Sequence, residues 1–277
     1  MVEQWVKDYG FEKAKAICES FLQERPITIR TNLTKTTPEA LKQKLIAEGG
    51  VVKEIEKLSY AFEISGYDYL QALSSFEEGL FYVQDVSSMM VAEIAAPEKG
   101  NYIIDVCAAP GGKSSHLAEK LDGTGMVEAR DLTEYKVSLI EENIERHGLE
   151  NMNAVQKDAT LYDEASEEKA DVLICDLPCS GLGVMGKKTD IRYKMTKEKQ
   201  KELVQLQRKI LDTVHTYVKK GGSLVYSTCT IHKDENSGNV AWFVEKYPEF
   251  EVLYSEQIFP GKEYHDGFFI AKLRRNA

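Results

Sequence analysis

The sequence predicts an α/β protein in which helices cover both faces of a mostly parallel sheet, with a small α+β domain before it. Three observations predict this class. Strand and helix patterns alternate from Gly79 onwards with short connections, as in repeated βα units. Residues 26–75 have a strand and helix pattern of their own. A length of 277 residues and an apolar content of 43% allow a sizeable buried core.

Three parts follow from this pattern. Residues 1–25 are a helical lead-in that Pro26 ends, too short to form a domain. Residues 26–75 form the small α+β domain, and residues 76–277 form the main domain. The small domain should contain strands at 27–32, 51–55 and 61–64, and a helix from Thr37, its N-cap, to a stop at Gly49.

The elements of the main domain are predicted from short β-branched runs and from apolar residues at helical spacing. The predicted strands are 102–107, 126–130, 152–156, 171–176, 222–227 and 268–273. The predicted helices are 86–95, 113–121, 134–147, 196–219 and 234–246. The apolar stripe of the long helix, which includes Ile210, Val214 and Tyr217, is expected to contact the core.

A glycine turn lies between the first of these strands and its helix, in the stretch from Asp105 to Lys113. Its glycines let a ligand approach the backbone, and its amides lie at a helix N-terminus. A P-loop would need a glycine where Cys107 stands, and the glycine fingerprint for dinucleotides is absent. From these residues alone, an S-adenosylmethionine turn and a structural turn without a ligand both stay open.

Acidic residues follow the next three strands. Asp131 comes 26 residues after Asp105, and Asp158 and Asp176 follow the third and fourth strands. A carboxylate at the second position can accept both hydroxyls of a ribose lying across the sheet edge, and Asp158 would lie near the adenine end. One such acid is often only a helix cap. Three at successive strand ends, beside a glycine turn, favour a nucleoside cofactor.

The five cysteines are odd in number and scattered, which argues against a disulfide framework and for a reducing cytoplasm. Cys175 and Cys179 have no second pair or nearby histidine to complete a zinc site, so no metal is expected. A lone cysteine is most often a small buried hydrophobe. Cys179 and Cys229 differ because each follows a predicted strand, so both should project at the same sheet edge as the glycine turn.

The charge is unevenly distributed along the chain. The net charge of −10 argues against nucleic acid, yet residues 187–209 contain nine basic and three acidic residues, a local charge of +6. This basic stretch is either a solvated helix face or a surface that contacts phosphates. The sequence contains no signal peptide and no apolar run of membrane-spanning length.

Three motifs resemble those of a known family. They are Cys-Ala-Ala-Pro-Gly-Gly-Lys at 107–113, Asp-Leu-Pro-Cys-Ser-Gly at 176–181 and Tyr-Ser-Thr-Cys-Thr at 226–230, and they closely resemble the RNA cytosine-5 methyltransferases. Gln84-Asp85, Glu235-Asn236 and Asp266-Gly267-Phe268-Phe269 match the same pattern. The resemblance covers the whole chain, which is most similar to the bacterial 16S rRNA methyltransferase B type. It implies a Rossmann-like sheet with S-adenosylmethionine as cofactor.

The resemblance also implies roles for individual residues. Cys229 would be the nucleophile, Cys179 would help to release product, Asp176 would contact the cytosine edge, and Lys113 would orient the cytosine or support the thiolate. The implied cofactor-binding residues are Cys107, Ala108, Ala109, Pro110, Gly111, Gly112, Lys113, Asp131, Asp158 and Asp176. RNA, expected to be 16S rRNA, would be held by residues 26–75 and by the basic stretch. A cytoplasmic monomer is expected.

The chain departs from the family pattern in places. The helical domain with which methyltransferase B normally begins is absent, so Met1 is either an internal start in a truncated form or the start of a genuine short form. His232-Lys233-Asp234 stands where the family usually has a proline. Three alternatives stay open: the same chemistry on tRNA or another RNA, a non-catalytic RNA-binding protein, and a P-loop ATPase, for which both cysteines would be dispensable.

Overall fold

The computed structural model describes residues 1–23, 26–261 and 265–276. Its helices are α1 Val2–Tyr9, α2 Phe11–Ser20, α3 Pro38–Ala47, α4 Ser74–Glu77, α5 Val86–Ala95, α6 Gly112–Lys120, α7 Glu134–His147, α8 Ile191–Lys194, α9 Lys197–Val214 and α10 Ser237–Lys246. Its strands are β1 Ile27–Thr31, β2 Val51–Glu54, β3 Ala61–Ser65, β4 Phe81–Val83, β5 Tyr102–Asp105, β6 Met126–Asp131, β7 Met152–Gln156, β8 Ala170–Asp176, β9 Val218–Thr228, β10 Phe250–Ile258 and β11 Phe268–Arg275.

The strands form two sheets. A four-stranded antiparallel sheet has the order β2-β3-β1-β4, and a seven-stranded mixed sheet has the order β10-β11-β9-β8-β5-β6-β7. Strands β5, β6 and β7 are parallel, as are β8 and β9, whereas β11 is antiparallel to both β9 and β10. The predicted α/β class, a Rossmann-like sheet with a small N-terminal domain, is confirmed.

The chain folds as two compact units. The first unit comprises Met1–Arg25 and Ala159–Ala277, and the second unit comprises Pro26–Asp158. The predicted division into 1–25, 26–75 and 76–277 stays a prediction. Positions 24, 25, 262–264 and 277 of those ranges lie outside the described residues.

In the second unit, α3 packs on the four-stranded sheet. It begins where predicted, because the Thr37 hydroxyl accepts a hydrogen bond from the Ala40 amide at 3.2 Å and Pro38 holds the first helical position. Helices α5 and α7 have the predicted bounds, with Asp85 and Thr133 as their side-chain caps. The core of the small sheet consists of Ile29, Leu41, Leu45, Phe62, Ile64, Leu73 and Phe81.

In the first unit, α1 and α2 pack on the loops that follow β8 and β9. The buried residues of this cluster are Trp5, Ala14, Ile17, Phe21, Leu182, Met185 and Ile231. A close backbone approach fixes one of these loops: a Cβ on Gly183 would lie 1.9 Å from the Gly267 carbonyl oxygen, and the Gly267 amide donates to the Gly183 carbonyl at 2.9 Å. Only glycine fits at position 183, because any side chain there would overlap the Gly267 carbonyl.

Some predicted elements are wrong in extent. The helical lead-in is two helices, separated at Gly10, whose φ is 81°. The long helix predicted to residue 219 ends at Val214, a short 3₁₀ turn follows, and β9 begins at Val218. The buried side chains of Val214 and Tyr217 continued the apolar stripe past the true end of the helix. Strands β4 and β10 were not predicted.

Candidate active site

The glycine turn in the second unit is held by an acid at the end of β5. Asp105 is buried, and its Oδ2 accepts a hydrogen bond from the Ser114 hydroxyl at 2.6 Å. Its Oδ1 accepts from the Cys107 amide at 3.4 Å. Gly111 is the N-cap of α6 with φ 105°, a conformation that L side chains rarely adopt. The turn therefore presents its backbone at the first turn of α6, where amides bind anions.

The structure brings the turn together with Asp131, which ends β6. Asp131 is buried, and its Oδ2 accepts from the Ala109 amide at 3.0 Å. Its Oδ1 accepts from the Leu132 amide at 2.7 Å and from Lys136 Nζ at 2.8 Å. Lys136, whose side chain is 47% exposed, was not singled out in the sequence. The buried Asp131 carboxylate therefore accepts three hydrogen bonds, one of them from a half-exposed lysine side chain.

Asp158 follows the next parallel strand of the same unit. Strands β6 and β7 are in register, with Asp131 opposite Gln156, and the Lys157 amide donates to the Asp131 carbonyl at 2.9 Å. Asp158 thus lies just past the carboxyl edge of the sheet, as predicted from its position after a strand. A carboxylate at one strand end, a second acid after the next strand and a helix N-terminus are groups that suit the ribose and polar ends of S-adenosylmethionine. The residues present therefore fit this cofactor.

The two cysteines singled out in the sequence lie together in the first unit. Cys179 follows β8 and Cys229 follows β9, and these strands are parallel neighbours with Asp176 opposite Ser227. The Sγ atoms of Cys179 and Cys229 are 3.3 Å apart, within hydrogen-bond distance, and both residues are half-buried. The Ser227 hydroxyl, a group that the sequence did not indicate, donates to Asp176 Oδ1 at 2.7 Å and orients that carboxylate.

The surroundings of Cys179 oppose ionisation of its thiol. The hydrogen bond with Cys229, burial, and the nearby charges of Cys229 and Glu235 together raise the pKa of Cys179 well above its usual value. Cys179 therefore keeps its proton at neutral pH and can donate its S–H to the sulfur of Cys229. A thiolate that accepts a hydrogen bond is stabilised, which favours Cys229 as the nucleophile of the pair.

The predicted site residue Lys113 is the second residue of α6, in the second unit, and is half-buried.

The basic stretch, residues 187–209, is largely exposed. Eight of its nine basic residues are exposed, together with the 88% exposed ring of Tyr193. Arg208 is the exception, because its guanidinium donates to Asn239 at 2.9 Å and lies over the Trp242 ring. The exposure of the other eight basic residues is consistent with both interpretations of the basic stretch, a solvated helix face and a surface that contacts phosphates.

The described residues contain neither a metal-binding cluster nor a membrane-spanning helix. Over 1–23, 26–261 and 265–276, no group of three or more His, Cys, Asp or Glu side chains is arranged to hold a metal ion. No helix within the described part of the chain has the length and apolar character needed to span a bilayer.

Comparison with curated proteins shows relatives along nearly the whole chain. Probable ribosomal RNA small subunit methyltransferase B of Bacillus subtilis is 35% identical over 99% of this chain and 65% of its own length. A tRNA (cytosine(72)-C(5))-methyltransferase of Pyrococcus horikoshii is 36% identical over 74% of this chain and 55% of its own length. The chain spans less than two thirds of the length of these relatives.

The fold and the family of the chain are also shared with a solved structure and with two family models. NSun6 from Pyrococcus horikoshii superposes with a TM-score of 0.90 over 100% of this chain and 97% of its own, at 24% identity, and so shows the shared fold. The family model for 16S rRNA methyltransferase RsmB/F matches residues 92–274. The model for the RsmF/B-like ferredoxin-like domain matches residues 1–67. The resemblance drawn from the motifs is confirmed: the chain belongs to the RsmB/F family of 16S rRNA methyltransferases.

Proposed function

We propose that this chain transfers a methyl group from S-adenosylmethionine to carbon 5 of a cytosine in 16S rRNA, through a covalent adduct between Cys229 and carbon 6. One observation carries the proposal: two thiols lie 3.3 Å apart at the ends of adjacent parallel strands, in a chain of the RsmB/F family. Carbon 5 of cytosine is a poor nucleophile until something adds to carbon 6. A thiolate suits that addition because it is a good nucleophile and a good leaving group.

The second unit offers the groups that would hold the cofactor. These are the turn Cys107–Lys113, whose amides begin α6, and the carboxylates of Asp131 and Asp158, with Asp176 assigned to the same role by the motif resemblance. S-adenosylmethionine, when bound, supplies an electrophilic methyl group. The buried Asp131 carboxylate would accept the ribose hydroxyls in place of Lys136 Nζ.

Covalent catalysis divides the reaction into two steps. The Cys229 thiolate adds to carbon 6, so a bond from Sγ to carbon 6 forms and the π electrons between carbons 5 and 6 make carbon 5 a nucleophile. Carbon 5 would then bond to the methyl carbon as the bond between that carbon and the sulfonium sulfur breaks, with S-adenosylhomocysteine as the leaving group. A base then removes the proton from carbon 5, the double bond re-forms, and Cys229 leaves as a thiolate. Cys179, in contact with Cys229, assists this release.

Two other side chains would act on the base. Asp176, held by Ser227, contacts the cytosine edge and stabilises the ring as charge develops on it. Lys113 orients the cytosine or supports the Cys229 thiolate. The target base has to leave its stack, at a cost of a few kcal/mol unless it is already single-stranded. The basic stretch and residues 26–75 would bind the RNA backbone.

Single serine substitutions separate the two cysteines. Cys229→Ser should abolish methylation, because a hydroxyl lacks the accessible anion and the leaving ability of a thiol. Cys179→Ser should still form the adduct and transfer the methyl group but fail at release. Denaturing electrophoresis of enzyme mixed with labelled 16S rRNA should then show a protein–RNA species in Cys179→Ser that disappears in the double variant.

Cys18→Ser is the matched control, since Cys18 packs against the α1–α2 cluster, away from the pair. It should behave as the unsubstituted protein in both assays. Adduct trapped in Cys229→Ser would exchange the two roles. Intact methylation without adduct in either variant would end the covalent mechanism.

A tRNA substrate is the second candidate, because the Pyrococcus horikoshii relative at 36% identity carries the name of a tRNA methyltransferase. Mapping 5-methylcytosine in rRNA and tRNA from cells with and without the gene decides between the two. Loss of a single 16S position supports the first candidate, and loss of a tRNA position supports the second.

A further inference from the structure

A buried carboxylate lies beside the cysteine pair, in the loop that follows Cys229. Glu235 ends the short 3₁₀ turn Lys233–Glu235 and is 0% exposed. A carboxylate at that depth is stable only where donors surround it. Its donors therefore show what the residue holds in place.

One side of Glu235 holds the loop that carries Cys179. Oε2 accepts from the Ser180 amide at 2.8 Å and from Gln207 Nε2 at 3.0 Å, and Oε1 accepts from the Ser180 hydroxyl at 2.5 Å. Gln207, fully buried on α9, also donates to the Pro178 carbonyl at 2.8 Å. The residues before and after Cys179 are therefore both fixed by Glu235, one directly and one through Gln207.

The other side of Glu235 holds the loop that carries Cys229. His232 Nδ1 lies 3.3 Å from Oε1, and the Glu235 carbonyl accepts from the Tyr226 hydroxyl on β9. The hydroxyls of Ser180 and Thr230 are 2.8 Å apart, which joins the two loops directly. The segment after Cys229 thus reaches the Glu235 carboxylate through His232, and the segment before Cys229 reaches the Glu235 backbone carbonyl through Tyr226.

We propose that Glu235 is a positioning residue for the cysteine pair: its carboxylate fixes the loops that carry Cys179 and Cys229 and places a negative charge within hydrogen-bond distance of Ser180, the residue next to Cys179. The inference rests on the proposed function, since it gives Glu235 a role in the chemistry assigned to those two cysteines. A structural residue alone would need neither the charge nor contacts with both loops.

The electrostatics agree with this geometry. Glu235 adds to the rise in the pKa of Cys179, after the larger effects of the Cys229 hydrogen bond, burial and the Cys229 charge. The Gly181 amide acts in the opposite direction. Burial alone would lower the pKa of His232, but its hydrogen bond with Glu235 and the charge of that residue raise it. Titratable groups around the pair therefore include Glu235, His232, which contacts Glu235, and Tyr226, whose pKa is raised by burial, Glu235, Cys179 and Cys175.

Two variants of Glu235 separate charge from geometry. Glu235→Gln keeps the shape and can still accept from the Ser180 amide and Gln207, but it removes the charge. Alkylation of each cysteine by iodoacetamide, followed against pH by peptide mass spectrometry, should show the midpoint for Cys179 lowered by about one pH unit. Glu235→Ala also releases both loops, and kcat for methylation of 16S rRNA should fall about 100-fold at unchanged KM for S-adenosylmethionine.

Asp234→Asn is the matched control, because this neighbouring carboxylate is 79% exposed and lies 4.0 Å from His232 Nε2. It should leave the alkylation midpoint and kcat as they are. Glu235→Gln should retain more activity than Glu235→Ala, which a loss of fold alone would not produce. An unshifted Cys179 midpoint in Glu235→Gln, or a kcat within threefold of the unsubstituted protein in Glu235→Ala, would overturn the inference.

The alkylation measurement needs neither RNA nor methyl transfer, so it reports on Glu235 even if the proposed function is wrong. Methylation that survives Cys229→Ser would refute the proposed function instead.

Discussion

Arg30, a charged residue at the centre of the second unit, allows the sharpest test of how the small sheet supports the glycine turn. Its side chain is 0% exposed, and Nη1 lies 2.7 Å from Oε2 of Glu119, itself 4% exposed, on α6. Nε donates to Gln84 at 2.8 Å and Nη2 to Ser115 at 3.2 Å, and the guanidinium lies 4.0 Å from the centre of the Tyr82 ring. The helix that begins at the glycine turn is therefore tied to β1.

The expected cost of Arg30→Met follows from these interactions. Removing one partner of a buried ion pair costs about 3–5 kcal/mol, because the other charge is left without compensation. Arg30→Lys keeps the charge, but an ammonium cannot reproduce the planar fork that reaches three acceptors. Removing one hydrogen bond to the charged group should cost about 1.5–3 kcal/mol. The double variant Arg30→Met/Glu119→Leu should recover much of the stability, because apolar replacement of a buried pair is often neutral.

The destabilisation in Arg30→Met should depend on pH. Burial raises the pKa of Glu119 in the folded protein, although the charge of Arg30 and hydrogen bonds from Arg30 and Tyr82 oppose the rise. Without Arg30 the folded pKa rises further above the unfolded value of about 4.3. A group whose pKa is raised on folding contributes stability below its unfolded pKa and loses it as the pH rises through the folded pKa. The deficit of Arg30→Met should therefore be larger at pH 8 than at pH 5.

Urea unfolding followed by far-ultraviolet circular dichroism measures these differences, with calorimetric titration of S-adenosylmethionine as a second readout. Lys42→Ala is the control, because Lys42 belongs to the same unit and pairs with Glu54 at the surface, where one ion pair contributes about 0–1 kcal/mol. An Arg30→Met variant within about 1 kcal/mol of the unsubstituted protein at both pH values would refute the reasoning.

Two further predictions concern binding. Asp131→Ala should weaken S-adenosylmethionine binding strongly, because it leaves ribose hydroxyls and the Ala109 amide without an acceptor; unchanged affinity by calorimetry would remove Asp131 from the site. Replacing Lys187, Lys188, Arg192 and Lys194 with glutamine should weaken RNA binding and reduce the slope of log affinity against log salt, by about 0.7–0.9 for each phosphate that is no longer neutralised. Cofactor affinity should not change, and an unaltered salt slope would identify the basic stretch as a solvated face.

The parts of the fold that the sequence predicted are those with strong local signals. Strands β5 and β8 contain buried β-branched residues, and a capping side chain precedes α5 and α7, so the residue pattern and the cap predict the same elements. Strand β10 was missed although Phe250, Val252 and Tyr254 stand at period-2 spacing; only Phe250 of its nine residues is buried, so the strand adds little to the core. Strand β4 has three residues, too few for any periodicity.

The site shows the same division between local and distant signals. The glycine turn and its acid are adjacent in sequence to a strand and a helix, and parallel strands end at one edge of a sheet, so the partnership of Cys179 with Cys229 could be expected before the structure was known. The Lys136–Asp131 ion pair could not be expected from the sequence. A lysine five residues after an acid, at the start of a helix, has many possible rotamers.

Which cysteine keeps its proton depends on interactions that no local pattern contains. Glu235 accepts a hydrogen bond from Ser180, 55 residues away in the sequence, and Gln207 donates one to Pro178, 29 residues away. A carboxylate three residues from His232 is, by sequence alone, as consistent with an exposed turn as with burial. Only once β8 and β9 are paired do the loops after them converge, and only then must a charge at that point find donors or remain unsatisfied. The environment of the Cys179 thiol is therefore a property of the folded first unit, set by residues that lie far apart in the sequence.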